Sequence, residues 1–256
     1  MLRASEGGVL TGEGYNALKL AALEREIVSC RRCPRLVEWR EKVAREKRSA
    51  YSGETYWGRP VPGFGDPEAK VVVLGLAPAA HGANRTGRYF TGDRSGDFLF
   101  AALHRTGFSS SPISRTVRDG VSLDNLWISA AVRCAPPDNK PAPAERDNCL
   151  PYTARELALL PVEVIVCLGA FAWDAALRLH IVRPKPKFGH GAEHRGPSGP
   201  TLLGSYHPSQ QNTFTGVLKP EMLDAVLLRA RESTADAPTA LPATGHGDHT
   251  PATPIQ

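Results

Sequence analysis

Two kinds of residue in this chain can do chemistry: thiols and a small set of polar side chains at the ends of apolar runs. Four of the five cysteines form a pattern, Cys30-x2-Cys33 followed by Cys134 and Cys149 with fourteen residues between them. A two-residue spacer lets both thiolates of the first pair converge on one metal centre. Four soft sulfur ligands suit tetrahedral zinc and a four-iron cluster equally well, and spacing alone does not choose. Disulfides are the competing use, and they belong to oxidising compartments. Cys167 stands apart inside VIVCL, where a small hydrophobe in a buried strand is expected.

The polar candidates lie in three segments. GLAPAAHGANRTGRYFTGD, Gly75 to Asp93, follows an apolar run and is rich in glycine, which lets backbone approach a ligand closely. Asp93 closes it at the entrance of a helix, where a carboxylate also serves as a plain cap. No Lys-Ser/Thr pair follows these glycines, which disfavours nucleoside triphosphate binding. GSYHPSQQNTFTG, Gly204 to Gly216, puts His207 at a strand end, where an imidazole can donate to a developing oxyanion. VRCAPPDNKPAP holds Asn139 and Lys140 in a proline-stiffened loop beside Cys134, and an Asn amide can read an amide-like edge with one donor and one acceptor.

These segments need elements to position them. Leu20, Leu23 and Ile27 recur at helical spacing over Asn16 to Val28, with Asn16 as cap, and this helix delivers Cys30 and Cys33. Strands are expected at Lys70 to Leu76, Leu126 to Val132, Val164 to Leu168 and Leu202 to Tyr206. Helices are expected at Ser95 to Arg105, within Ala144 to Leu160, at Phe171 to Leu179 and at Pro220 to Arg231. Apolar strands alternating with helices imply an α/β fold with a mostly parallel sheet covered on both faces. The charged run Arg40 to Arg48 carries seven charges of both signs and is expected on a solvated helix face.

At 256 residues the chain suffices for one large domain, expected at 15–231, between an N-terminal tail, 1–14, and a C-terminal tail, 232–256. The C-terminal tail, with His246 and His249, lacks the large apolar residues needed to offset its ordering entropy and is expected to be disordered. No apolar run approaches the roughly 20 residues that span a bilayer, so no membrane partner is expected. The N-terminus has no secretion signal, which makes the cytoplasm, with the nucleoid, the expected location. A net charge of +5 fits a polyanionic partner without requiring one.

Across roughly Ala22 to Arg229 the chain resembles the family 5, or type B, uracil-DNA glycosylases of bacteria and archaea. The resemblance rests on Cys30-x2-Cys33, GLAPAAHGANRTGRYFTGD, AAVRCAPPDNKP with Cys149, and SYHPSQQNTFTG, in that order. It implies a three-layer α/β/α fold of the uracil-DNA glycosylase kind, with a central mostly parallel sheet of about four strands flanked by helices. It also implies a [4Fe-4S] cluster on Cys30, Cys33, Cys134 and Cys149. By the same resemblance Asp93 is the catalytic carboxylate, His207 faces uracil O2, Asn139 is polar at the active site, and Phe90 stacks on the extruded base, with Gly75, Ala77 and His81 around it. The apolar Leu76 and Ala77 replace the polar or acidic residue of most other uracil-DNA glycosylases, as in type B enzymes, and shift water activation to Asp93.

The expected partner is uracil-containing DNA, double- or single-stranded, met by a monomer. Arg85, Arg88, Arg133 and Lys140 are expected at backbone phosphates, and Gln210, Gln211, Asn212 and Phe214 at the gap left in the duplex. Other deaminated bases, hypoxanthine or xanthine, are an expected extension. A non-catalytic DNA-binding protein and a redox protein are the alternatives from other classes.

Overall fold

Four pentapeptides, VVVLG, LWISA, VIVCL and TLLGS, are buried at every residue, and three of them are rich in β-branched or aromatic side chains. Strands with no solvent face belong inside a parallel sheet. In the computed structural model, which describes residues 12–235, they form the centre of a six-stranded sheet.

In chain order the elements are α1 (Gly12–Val28), α2 (Pro34–Glu46), β1 (Phe64–Gly65), β2 (Val71–Gly75), α3 (Ala83–Thr86) and α4 (Arg94–Arg105). Then come β3 (Leu126–Ala130), α5 (Pro143–Ala158), β4 (Val164–Leu168), α6 (Ala170–Leu179), β5 (Glu193–His194), β6 (Thr201–Ser205), α7 (Gln210–Phe214) and α8 (Pro220–Ala235). The sheet order is β1-β3-β2-β4-β6-β5. The four central strands are parallel, with Val73 level with Ile128 on one side and Val166 on the other. The two-residue strands β1 and β5 close the edges antiparallel.

Alternation sorts the core into two layers. Val71, Val73, Ile128 and Val166 face Leu99, Phe100 and Leu103 of α4 and Leu223 and Leu227 of α8. Val72, Leu74, Ile165 and Cys167 face Trp173, Ala176 and Leu177 of α6, with Leu20 of α1 and Leu160 behind α5 in the same layer. The three-layer α/β/α expectation holds, with six strands instead of about four because β1 and β5 are too short to leave a pattern.

Several local expectations change. Helix α1 starts at Gly12, so Asn16 lies inside it and does not cap it. The charged run is not a solvated face throughout: Leu36, Val37, Arg40 and Val43 of α2 turn inward, and Arg40 is 2% exposed. Helix α8 continues past Glu232 to Ala235. The segment after His207 contains the short helix α7. The remainder of the C-terminal segment, with His246 and His249, lies outside the described residues.

Candidate active site

The carboxyl ends of β2, β3 and β6 point to one side of the sheet, and the loops that follow them enclose a cleft of about 760 Å³. Ala77, His81, Phe90, Asp93, Asn139, His207, Gln210 and Gln211 line it, so three segments far apart in sequence meet there.

Asp93 is the N-cap of α4, and its Oδ1 accepts the Gly96 N–H at 2.8 Å. Burial raises its pKa above the ordinary carboxylate range, against the lowering effect of the Gly96 N–H. The other oxygen, Oδ2, packs against the bare Cα of Gly82, where any methyl would overlap it. Phe90 holds a left-handed backbone, φ 51°, and its carbonyl sits where a Gly96 side chain would be. Its ring rests against the Cα of Gly75, which therefore backs the cleft without lining it.

His207 lies 6.0 Å from the Phe90 ring, centroid to centroid, at 37°. Burial pushes its pKa down to about 4, so the imidazole is neutral near pH 7. Its backbone carbonyl accepts from the Ser209 N–H at 2.8 Å and from Asn212 Nδ2 at 2.9 Å. Asn212 therefore helps to fix the backbone at His207. Asn139 and the preceding Asp138 both adopt positive φ, 54° and 52°, a conformation short polar side chains tolerate. Asn139 is exposed and makes no side-chain hydrogen bond among the described residues. Arg35 anchors this turn by donating to the Lys140 carbonyl at 3.2 Å and to Glu145. Lys140 and Phe214 are exposed outside the cleft lining, Phe214 beneath the Arg94 guanidinium at 5.3 Å. His81 pairs through Nδ1 with the Tyr56 hydroxyl at 3.0 Å, and burial, with Arg48 and Arg85 nearby, lowers its pKa.

Three expected phosphate contacts are corrected. Arg133 is 1% exposed and pairs with Glu156 at 2.7 Å, also bonding Thr153. Arg88 pairs with Asp119 at 2.7 Å and Arg85 with Glu54, both arginines being buried. A buried guanidinium is stable only when so paired, and a paired one is not available to a phosphate. Arg48, Tyr51, Arg94 and Arg115 also line the cleft; of these the sequence marked only Arg48, as the end of a charged run.

Cys30, Cys33, Cys134 and Cys149 line a second, tighter cavity with Leu36, Pro60 and Tyr152, and none is in a disulfide. Arg40 Nη1 donates to Cys134 Sγ at 2.9 Å and Asn148 Nδ2 to Cys33 Sγ at 3.4 Å. Burial raises the Cys134 and Cys149 thiols to about 12 and about 11. Among the described residues no three His, Cys, Asp or Glu side chains are disposed to hold a single metal ion. Cys167, on β4, is wholly buried away from the four thiols.

A family model described as the Uracil DNA glycosylase superfamily matches residues 62–231, which include every cleft-lining segment except that around Arg48 and Tyr51. The chain belongs to this superfamily. Within it, the chain is 53% identical over 227 residues to a type-5 uracil-DNA glycosylase of Mycobacterium tuberculosis, covering 87% of this chain and 84% of that one. It is 52% identical over 212 residues to the type-5 enzyme of Thermus thermophilus, covering 82% and 96%. The type-5 enzyme of Pyrobaculum aerophilum is 46% identical over 204 residues, covering 80% and 88%. The superfamily match begins after the first cysteine pair, whereas the type-5 relatives extend the similarity over most of the chain.

Proposed function

We propose that the protein is a DNA repair glycosylase that turns uracil out of DNA and hydrolyses its N-glycosidic bond, leaving an abasic site. The observation that carries this reading is the meeting of Asp93, Asn139 and His207 beside the Phe90 ring in one cleft. The named type-5 relatives support it.

Breaking the C1′–N1 bond develops positive charge on the sugar and negative charge on the leaving base. In the proposed mechanism Asp93 faces the sugar, steadies the cation and orients the attacking water, whose oxygen bonds C1′ as a proton passes toward the carboxylate. A carboxylate with a raised pKa accepts that proton more readily. His207, neutral, donates an N–H to the base oxygen as charge collects there; one such donor is worth about 3 kcal/mol. Phe90 stacks on the base, and Asn139 reads its amide edge with one donor and one acceptor.

In this reading Cys30, Cys33, Cys134 and Cys149 hold a [4Fe-4S] cluster. The four thiols lining one cavity, the donors aimed at two of their sulfurs and the buried Arg40 charge suit an anionic thiolate-bound group, and the type-5 relatives favour the cluster as that group. When bound, the cluster would cross-link the turn after α1, the loop after β3 and α5 through these four thiolates. A second reading concerns breadth: Ala77, Ala79 and Ala80 leave one wall of the cleft lined by methyls, which favours admission of hypoxanthine and xanthine. The two-residue edge strands, too short to pair with another sheet, support a monomer.

The test is to incubate anaerobically purified protein with single- and double-stranded oligonucleotides carrying uracil, hypoxanthine, xanthine or only normal bases. Alkali-labile abasic sites are expected from uracil first. No release from any modified strand overturns the enzyme reading, and stoichiometric zinc without sulfide overturns the cluster.

A further inference from the structure

Two surface straps approach the cleft from outside the glycine-rich segment, and each is latched by one of the buried arginines of that segment. The first spans residues 48–57. Arg85 lies over the Tyr51 ring at 4.0 Å and pairs with Glu54, while its backbone carbonyl accepts the Trp57 N–H at 2.9 Å. The second spans residues 109–121. Arg88 holds both Asp119 and Ser114 at 2.7 Å, and Asp119 accepts the Arg115 N–H at 2.7 Å. Ser114 also bonds Thr91 and accepts the Gly92 N–H, two contacts immediately before Asp93.

Each strap presents one arginine at the cleft, Arg48 and Arg115. Both are exposed, and among the described residues neither guanidinium has a hydrogen-bond or ion-pair partner. An unpaired guanidinium on a rigid mount is a bidentate site for a phosphate. Holding a long side chain's backbone fixed also lowers the ordering cost of using it.

We infer that Arg48 and Arg115 grip the DNA backbone phosphates flanking the extruded nucleotide, with Arg85 and Arg88 acting behind them as positioning residues. The inference rests on reading the cleft as a DNA glycosylase site. Uracil release by the unaltered protein tests that reading separately.

The experiment measures binding to a duplex carrying 2′-fluoro-2′-deoxyuridine, which resists cleavage, from 50 to 200 mM salt. Each phosphate contact adds about 0.9 to the slope of log affinity against log salt, or about 3.5-fold in affinity across this range. Arg48→Gln and Arg115→Gln should each flatten the slope by about 1 and the double variant by about 2. Arg183→Gln, an exposed arginine beyond the far end of α6, should leave it unchanged. A neutral methylphosphonate at the phosphate concerned should erase the difference between wild type and variant. Slopes equal to wild type in both variants, or a fall no larger than Arg183→Gln produces, overturn the inference. If wild type still releases uracil, only the assignment of the arginines falls.

Discussion

Gly82→Ala tests whether Asp93 works through its position. A methyl at residue 82 would overlap Asp93 Oδ2, far inside the 3.0 Å below which real methyl contacts essentially never fall. The carboxylate must therefore retreat by about 1 Å or more, a misplacement that costs on the order of 100-fold in rate. That corresponds to about 2.7 kcal/mol of transition-state stabilisation. Moving the side chain also strains its bond to the Gly96 N–H, so the α4 cap weakens by about 1 kcal/mol and Tm falls by about 2–4 °C. The assay is single-turnover uracil release at saturating protein, with thermal unfolding alongside. In an Asp93→Ala background the carboxylate clash is gone and only the 3.2 Å approach to Ala79 Cβ remains, so Gly82→Ala should cost little further in rate. A folded Gly82→Ala protein within about threefold of wild type would refute the reasoning, as would an equal loss in the Asp93→Ala background.

Four further outcomes follow from the same geometry. His207 should titrate near 4 by NMR, not near 6.5, and contribute a fall in stability as pH drops through that window, because the unfolded chain takes the proton first; above it the contribution is constant. Asn212→Ala frees the His207 carbonyl and should slow the chemical step roughly fivefold, the worth of about 1 kcal/mol, with DNA affinity unchanged. Glu156→Gln leaves the buried Arg133 charge uncompensated and should lower unfolding free energy by about 3–5 kcal/mol in denaturant titrations. Cys149→Ser should lose iron and sulfide together by chemical analysis and lower Tm, whereas Cys167→Ser should retain both.

The central strands were legible because a strand buried on both faces is apolar at every position, as VVVLG and VIVCL are. The cleft was legible where chemistry sits at a strand end, as with His207 after β6, or at a helix cap, as with Asp93. The arginines were not. The fate of Arg88 is decided by Asp119, 31 residues away, and that of Arg133 by Glu156, 23 residues away. Composition shows a positive charge and conceals its partner. Arg40 misled for the same reason, since α2 turns an apolar stripe inward and the Arg40 guanidinium follows it, donating from Nη1 to Cys134 Sγ and from Nη2 to the Cys30 carbonyl. Arg115 gave no signal because its role depends on a loop folded over Thr91 and Gly92.

The glycines and alanines of the segment after β2 differ in how much change they can absorb. Asp93 already occupies the space a Gly82 side chain would take, and a methyl at Gly75 would press on the Phe90 ring, so substitution there would be paid in chemistry. Ala77, Ala79 and Ala80 face the open cleft, half-buried. Larger or polar side chains at those three positions would redraw the outline offered to a base while leaving water, carboxylate and imidazole where they are. Natural drift and laboratory libraries alike would find altered substrate choice most readily among these alanines, and slowed chemistry among the glycines beside them.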